Sequence, residues 1–314
     1  MHFKIVHHIL FFFKGIAMGA ANVIPGVSGG TIALITGIFE RIIDAIKSFN
    51  GTAFRLLVKG KIKAFIQYTD LYFLISIFVG MVASVVTLAR LLAFLFDSYP
   101  IYIWAFFFGL ILASVYYVGK TINRWSINVI VYFIIGTALA LSVTFLTPAN
   151  QNDSFFYLAI CGVVAICSMI LPGLSGSFIL ILMGNYELVM IQAVNEMNIK
   201  ILFPVLLGAI VGLIVFSHIL SWIYKKFKNQ TIAILTGFIL GSLSILWPWK
   251  NEIYRVNKAG EFILNNGEKI VQSYSLYIPK SINVEVGVAI GFIILGIFSI
   301  AMIEKFAQVK KVKQ

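Results

Sequence analysis

Two nearly identical interruptions sit inside apolar sequence: Ile24-Pro-Gly-Val-Ser-Gly-Gly-Thr31 and Leu171-Pro-Gly-Leu-Ser-Gly-Ser-Phe178, 147 residues apart. Proline and glycine are the residues a helix interior tolerates least. In hydrocarbon, backbone freed from a helix must be satisfied by protein or by a wet cavity. Broken apolar segments at corresponding places in two halves are the sequence mark of a transporter's binding site. The pair therefore predicts a duplicated membrane fold with its functional centre at the two breaks.

Composition fits that reading. Of 314 residues, 60% are hydrophobic and only 11% charged, with a mean hydropathy of +0.98, whereas soluble domains carry about a quarter charged residues. An integral membrane protein is expected. The net charge of +12 points to cytoplasmic loops and an anionic membrane surface, not to nucleic acid. Cys161 and Cys167 match no metal or redox spacing and read as buried small side chains. The run Ile9 to Phe13 is too short for a secretory signal, so no cleaved leader is expected. No cofactor and no metal site are expected.

The apolar stretches divide the chain into an N-terminal repeat, 1–149, and a C-terminal repeat, 150–314. The first holds a broken segment, 9–48, and helices over 71–96, 101–119 and 127–147; the second holds a broken segment, 155–194, and helices over 201–224, 231–249 and 284–304. The polar stretch 250–283 reads as an extracytoplasmic loop. Further matches support the duplication. Phe78-Val-Gly80 aligns with Leu206-Leu-Gly208 and Gly109–Ser114 with Gly237–Ser242 at an offset of 128, and Asn128 and Gly136 align with Asn283 and Gly291 at 155.

Charge sets the topology. Lys4 and Lys14 precede the apolar core of the first broken segment, while Lys47, Arg55, Lys59, Lys61 and Lys63 follow it, and both flanks belong in the cytoplasm. That segment must enter and return, as a re-entrant hairpin or two short spans. Three crossings later the second broken segment starts from the opposite face, so the repeats are inverted and both termini are cytoplasmic. The expected fold is an all-α polytopic protein of two re-entrant helical hairpins and six spanning helices. With Arg41 and Arg90 set aside as lying within apolar segments, 16 of the other 22 basic residues fall inside.

The two breaks, entering from opposite faces, are expected to meet near the midplane. Each would aim the start of a following helix, with its free amides and positive dipole end, at an anion. Ser28 and Ser175 would add hydroxyls and the glycines close backbone approach. The competing structural reading is that Gly and Pro merely turn a hairpin whose second helix Ser28 and Ser175 cap. Arg90 is a candidate phosphate ligand, or snorkels towards the membrane face. Its counterpart at offset 128 is His218, a core histidine or a protonation switch. Glu40 and Glu187, equivalent at offset 147, are coupling candidates along with His218, or else line the polar edge of each hairpin. Asn22 and Asn185 are weaker polar candidates.

The stretch Met18-Gly-Ala-Ala-Asn-Val-Ile-Pro-Gly-Val-Ser-Gly-Gly-Thr31, with Ile35-Thr-Gly-Ile-Phe-Glu-Arg41, resembles a bacterial family once catalogued as a domain of unknown function. Ser168-Met-Ile-Leu-Pro-Gly-Leu-Ser-Gly-Ser177, continuing to Met183-Gly-Asn-Tyr-Glu187, is similar to that family's second motif. These are the PopT-like polyprenyl-phosphate transporters. The resemblance implies a non-enzymatic flippase of the bacterial plasma membrane that returns undecaprenyl phosphate, or a related polyprenyl phosphate, to the cytoplasmic leaflet. It carries a binding role onto Pro25, Gly26, Ser28, Gly29, Gly30, Pro172, Gly173, Ser175, Gly176 and Ser177, to which Thr31 and Arg90 are added as substrate-site candidates. The halves differ at Gly30 against Ser177 and Thr31 against Phe178, so unequal contributions are expected. The expected partners are the lipid substrate and membrane lipids, with a homo-oligomer left open. A carrier or channel for a small soluble anion would show the same loops. A lipid phosphatase would need a nucleophile with a base or metal, and the sequence offers no such constellation.

Overall fold

The computed structural model describes residues 2–23, 28–144, 146, 148–254, 264–265, 268–269, 271–281 and 283–311. Pro25 and Gly26 fall outside these residues, as does the side chain of Arg90.

The first half opens with α1 (His2–Val23), then α2 (Gly29–Ile35) and α3 (Phe39–Lys47). Lys14 on α1 donates to the Thr36 carbonyl just past α2 at 2.7 Å. Arg41 on α3 stacks over the ring of Phe11, again on α1. The chain has therefore doubled back along α1: the first apolar stretch is a helical hairpin. Two short helices, α4 (Gly51–Val58) and α5 (Ile62–Tyr68), lead into α6 (Leu71–Ser98), α7 (Pro100–Gly119) and α8 (Ile127–Thr144). Pro100 begins α7, where a missing amide hydrogen costs nothing.

The second half repeats the plan. Helices α9 (Phe155–Ile170) and α10 (Gly176–Leu182) form its hairpin. Tyr157 on α9 donates to the Met183 carbonyl at 2.8 Å, and the Asn185 amide group donates to the Asn152 carbonyl at 2.7 Å, so this chain too returns beside its entry. A π-helical turn (Glu187–Gln192), α11 (Ala193–Asn195), α12 (Ile199–Lys226), α13 (Lys228–Ser242) and α14 (Val284–Lys311) follow. Between α13 and α14, strand β1 (Lys250–Tyr254) pairs antiparallel with β4 (Val271–Leu276), and β2 (Leu264–Asn265) with β3 (Glu268–Lys269).

Four seams dominate the packing, and glycine sets each of them. On α1 and α6, a methyl group on Gly15 would overlap the Ile77 carbonyl, and one on Gly80 the Phe12 carbonyl. On α9 and α12, Gly162 meets Val205 and Gly208 meets Ala159 in the same way. Every one of these positions is displaced by 147 on the hairpin helix and 128 on its partner. Between halves, α7 packs on α14 through Gly109 against Ile293 and Gly296 against Phe106. Its counterpart is α13 on α8, through Gly237 against Phe133 and Gly136 against Ile234. Small residues let backbones approach closely where lipid supplies no hydrophobic drive.

This packing corrects the expected register of the last helix. Gly136 and Phe133 correspond to Gly296 and Ile293, an offset of 160, whereas Gly291 faces open space. The offset of 155 is thus not the one the packing uses. Nor does the seventh apolar stretch remain helical to residue 249: α13 ends at Ser242. Past it, Trp249 buries itself against Ala105, Val286 and Ala289. Among the described residues, four helices are long and apolar enough to cross a membrane, within α6, α7, α12 and α14. Six were expected. The shorter two are α8, of 18 residues, and α13, of 15. At about 1.5 Å per residue, α13 falls short of a roughly 30 Å core, but ten of its residues are buried in protein, so lipid does not set its length.

Candidate functional site

The two hairpins meet where Ser28, Gly30 and Thr31 of the first touch residues 169–173 of the second. Ser28 and Ser175 hold almost the same backbone conformation, φ −114°, ψ 137° and φ −113°, ψ 136°, each immediately before a seven-residue helix. Each hydroxyl accepts from an amide of the following turn: Gly30 to Ser28 at 3.1 Å, Phe178 to Ser175 at 3.3 Å. Extended backbone with an accepting side chain is what an N-cap requires, so both serines cap. The turns then lock together. Ser28 donates to the Met169 carbonyl at 3.2 Å, and the Gly173 amide donates to the Thr31 hydroxyl at 3.1 Å. Gly30 lies so close to the Ile170 carbonyl that an added Cβ would stand 2.6 Å from its oxygen. Gly173 has a φ of +82° and its Cβ position lies 2.5 Å from the Phe238 oxygen. No other residue fits there.

The two turns differ in what they leave free. In the first, Gly29 donates to the Asn22 side chain at 2.7 Å, Gly30 to Ser28, and Thr31 to the Ser28 carbonyl at 2.9 Å. Its first three amides are all satisfied within the hairpin, and Ser28 and Thr31 are each 1% exposed. Among the described residues of this turn, the opening amides of α2 are therefore not open to a ligand. In the second turn, the residue beneath Gly176 is Met169, the counterpart of Asn22 at offset 147. A thioether does not substitute for a carboxamide acceptor. Ser175 is half-buried and Ser177 exposed, their hydroxyls 2.7 Å apart. Pro172, Gly173 and Gly176 are buried behind them.

Residues 18–263 match the model of the undecaprenyl phosphate translocase-like (VCA0040-like) family. The chain belongs to that family. It is 41% identical over 259 residues to a protein of Vibrio cholerae named polyprenyl-phosphate transporter, an alignment covering 82% of this chain and 84% of that one. A Staphylococcus aureus protein of the same name is 31% identical over 252 residues, covering 75% and 84% respectively. No solved structure matches the chain.

The other candidates of this translocase-like chain have surroundings of their own. Glu40 sits at the edge, 3.8 Å from Lys228, its side chain 45% exposed. Glu187 opens the π-helical turn, half-buried. The Nδ1 of half-buried His218 lies 2.8 Å from the Ile214 carbonyl of its own helix, α12. Arg90 lies on α6. Among the described residues, no hydrogen bond joins Glu40 or His218 to Ser28, Thr31 or Gly173.

Sequence reasoning passed over a polar cluster where α3 meets the end of α12. Asp44 takes Lys225 at 2.7 Å and the Ser221 hydroxyl at 2.8 Å, and Lys47 donates to Ser221 at 3.3 Å. Burial pushes the Asp44 carboxyl up, but the hydrogen bonds from Lys225 and Ser221 and the charges of Lys225 and Lys47 outweigh it, holding the group below the usual aspartate value. The cluster ties the first hairpin to the second half. The lysines had been weighed only as topology markers, and nothing in their spacing joins residues 181 apart.

Proposed function

We propose that this chain carries a polyprenyl phosphate, with undecaprenyl phosphate the leading candidate, across the bacterial plasma membrane and returns it to the cytoplasmic leaflet. The carrying observation is the pair of interlocked hairpins, one with the opening amides of its short helix consumed and one presenting the exposed Ser177 hydroxyl bonded to that of Ser175. The names of the two relatives, both polyprenyl-phosphate transporters, support the same substrate. In this reading both hairpins are re-entrant, entering from opposite faces, and the repeat is inverted with both termini cytoplasmic.

A lipid phosphate crossing the bilayer needs a polar foothold for its headgroup at depth, while its tail stays in lipid. An isolated charge in hydrocarbon costs several kcal/mol or more, and a hydrogen bond to a charged group returns about 1.5–3 kcal/mol. The Ser175 and Ser177 hydroxyls supply such donors, with Gly173 and Gly176 allowing close approach. The first hairpin, with Gly29 held by Asn22, acts as the wall against which the second is held; Ser28, Gly29, Gly30 and Thr31 thus shape the site from behind, while Pro25 and Gly26 stay candidates on the sequence motif alone. Arg90 is proposed as the positive charge that draws the headgroup inward. Glu187 and His218 are the residues to test for proton coupling, since Glu40 faces Lys228 at the edge.

The test is a leaflet-resolved measurement of undecaprenyl phosphate in cells depleted of the protein. The surface pool is expected to rise, to be restored by the wild-type chain, and to stay high with Ser175→Ala/Ser177→Ala expressed at the same level. An unchanged surface pool on depletion removes the lipid reading. In reconstituted vesicles, uptake of a small anion that lipid phosphate fails to inhibit would favour the soluble-anion carrier instead.

A further inference from the structure

We propose that α4 and α5, with the turn between them, form a docking surface for anionic phospholipid headgroups of the leaflet from which α6 departs. The outward face of this pair is apolar: Phe54 is 69% exposed, Val58 72% and Ile62 51%. Interleaved with them are four exposed cations, Arg55, Lys59, Lys61 and Lys63. From Asn50 to Thr69 there is no aspartate or glutamate. Nearby acids are already engaged, Asp70 with Arg41, Asp44 with Lys225 and Glu40 with Lys228. Among the described residues none of the four cations has an ion-pair partner.

The surface is built, not loose. Asn50 caps α4 by accepting from Thr52 and Ala53, and its amide group donates to the Tyr68 hydroxyl at 3.0 Å, tying the start of one helix to the end of the other. Phe49 and Phe65 meet edge to face, and Ala53 is buried beneath the pair. What remains outside is a row of large apolar side chains between lysines. Water does not favour that face.

An anionic bilayer surface fits it better than another protein, for two reasons. Apolar side chains that sink into the acyl boundary while lysines meet phosphates are the chemistry of an interfacial helix. The face is also continuous with the membrane-embedded belt: α6 follows at Leu71, and Tyr72, Ile75 and Phe78 already point outward in its first two turns. The inference rests on α6 lying in the bilayer and is independent of which molecule is transported.

Hydrogen–deuterium exchange of the full-length chain in nanodiscs tests it, with discs of phosphatidylcholine alone and of phosphatidylcholine mixed with phosphatidylglycerol. Amides over 51–68 are expected to exchange roughly tenfold more slowly in the anionic discs, a conservative figure for four interfacial cations. Arg55→Gln/Lys59→Gln/Lys61→Gln/Lys63→Gln, all at exposed positions, is expected to abolish the difference between lipids, and Val58→Asp to reduce it with the cations intact. Equal protection in both lipids would mean that a second copy or another protein covers the face, and equal rapid exchange that it stands in water. Either result overturns the proposal, and neither bears on transport.

Discussion

At the scale of single residues, two buried hydroxyls bridge the hairpins, and that of Thr31 is the one that satisfies a backbone amide. Thr31 accepts the Gly173 amide, and no water reaches a side chain that is 1% exposed. Thr31→Val keeps the shape and strands that amide, which costs about 1–3 kcal/mol; Thr31→Ser keeps the acceptor. Thermal unfolding in detergent is therefore expected to show Val clearly destabilised and Ser near wild type, and equal melting of the two variants would mean that the bond contributes nothing. Asp44 gives a pH signature. Its carboxyl is held below the usual aspartate value, so the stabilisation is present above the ordinary aspartate range and lost only as pH falls through the lowered value. The stability gap between wild type and Asp44→Asn should stay constant from neutral pH down to that range and close below it. A gap that closes nearer neutrality contradicts the pairing with Lys225 and Ser221. Of these features, the capping serines were legible because Ser before a helix start has a local physical signature. Asn22 was legible only as a polar residue near the break. That it fills the first turn's amide while Met169 leaves the second without a polar counterpart is a three-dimensional fact.

At the scale of elements, the seams are set by where glycine falls, and the last helix is where two registers compete. Gly291 and Gly296 both lie on α14, and an apolar helix without a polar face gives sequence no phase with which to choose between them. The packing chooses Gly296, which abuts the Phe106 carbonyl, and leaves Gly291 in open space. Gly296→Ala is expected to cost about 1–3 kcal/mol through forced separation of α7 and α14. Gly291→Ala meets no atom and gains a little helix propensity, so it should be neutral or slightly stabilising. Comparing the melting of the two variants checks the register; the reverse order would restore the offset of 155. Helix starts were legible to within two residues for all six long elements, except that α13 begins at Lys228 instead of 231, because apolar runs bounded by charge mark them well. The end of α13 was not, since Leu243 to Trp249 stay apolar while the chain turns to pack Trp249 beside α7 and α14. The π-helical turn after the second hairpin has no signature in composition at all.

At the scale of the whole molecule, contacts between distant loops bear on topology without reference to any membrane. Asp44 near the end of the first hairpin reaches Lys225 at the end of α12, and the Asn123 amide between α7 and α8 reaches the Asn229 side chain at the start of α13. Lys250 beyond α13 stacks over Trp104 near the start of α7. Charge distribution assigns the first two pairs to the cytoplasmic side and the third to the outer side, and each pair is internally consistent with that assignment. The agreement follows from parity: each pair is separated by the second hairpin and an even number of long helices, so all three fit a second hairpin that returns to the face it entered from. A second hairpin that crossed instead would put Asp44 and Lys225 on opposite faces, and their 2.7 Å ion pair could not form. Single cysteines decide the matter in intact cells, with native Cys161 buried and Cys167 half-buried. Lys59→Cys and Lys226→Cys are expected to resist an impermeant maleimide until the cells are opened, while Lys280→Cys reacts at once. If Lys59→Cys labelled from outside and Lys226→Cys did not, the second hairpin, which lies between them with four long helices, would have to traverse the bilayer. The two serine-capped turns could then no longer approach one another from opposite faces, and a headgroup site shared between mirror-related hairpins would lose its geometric basis.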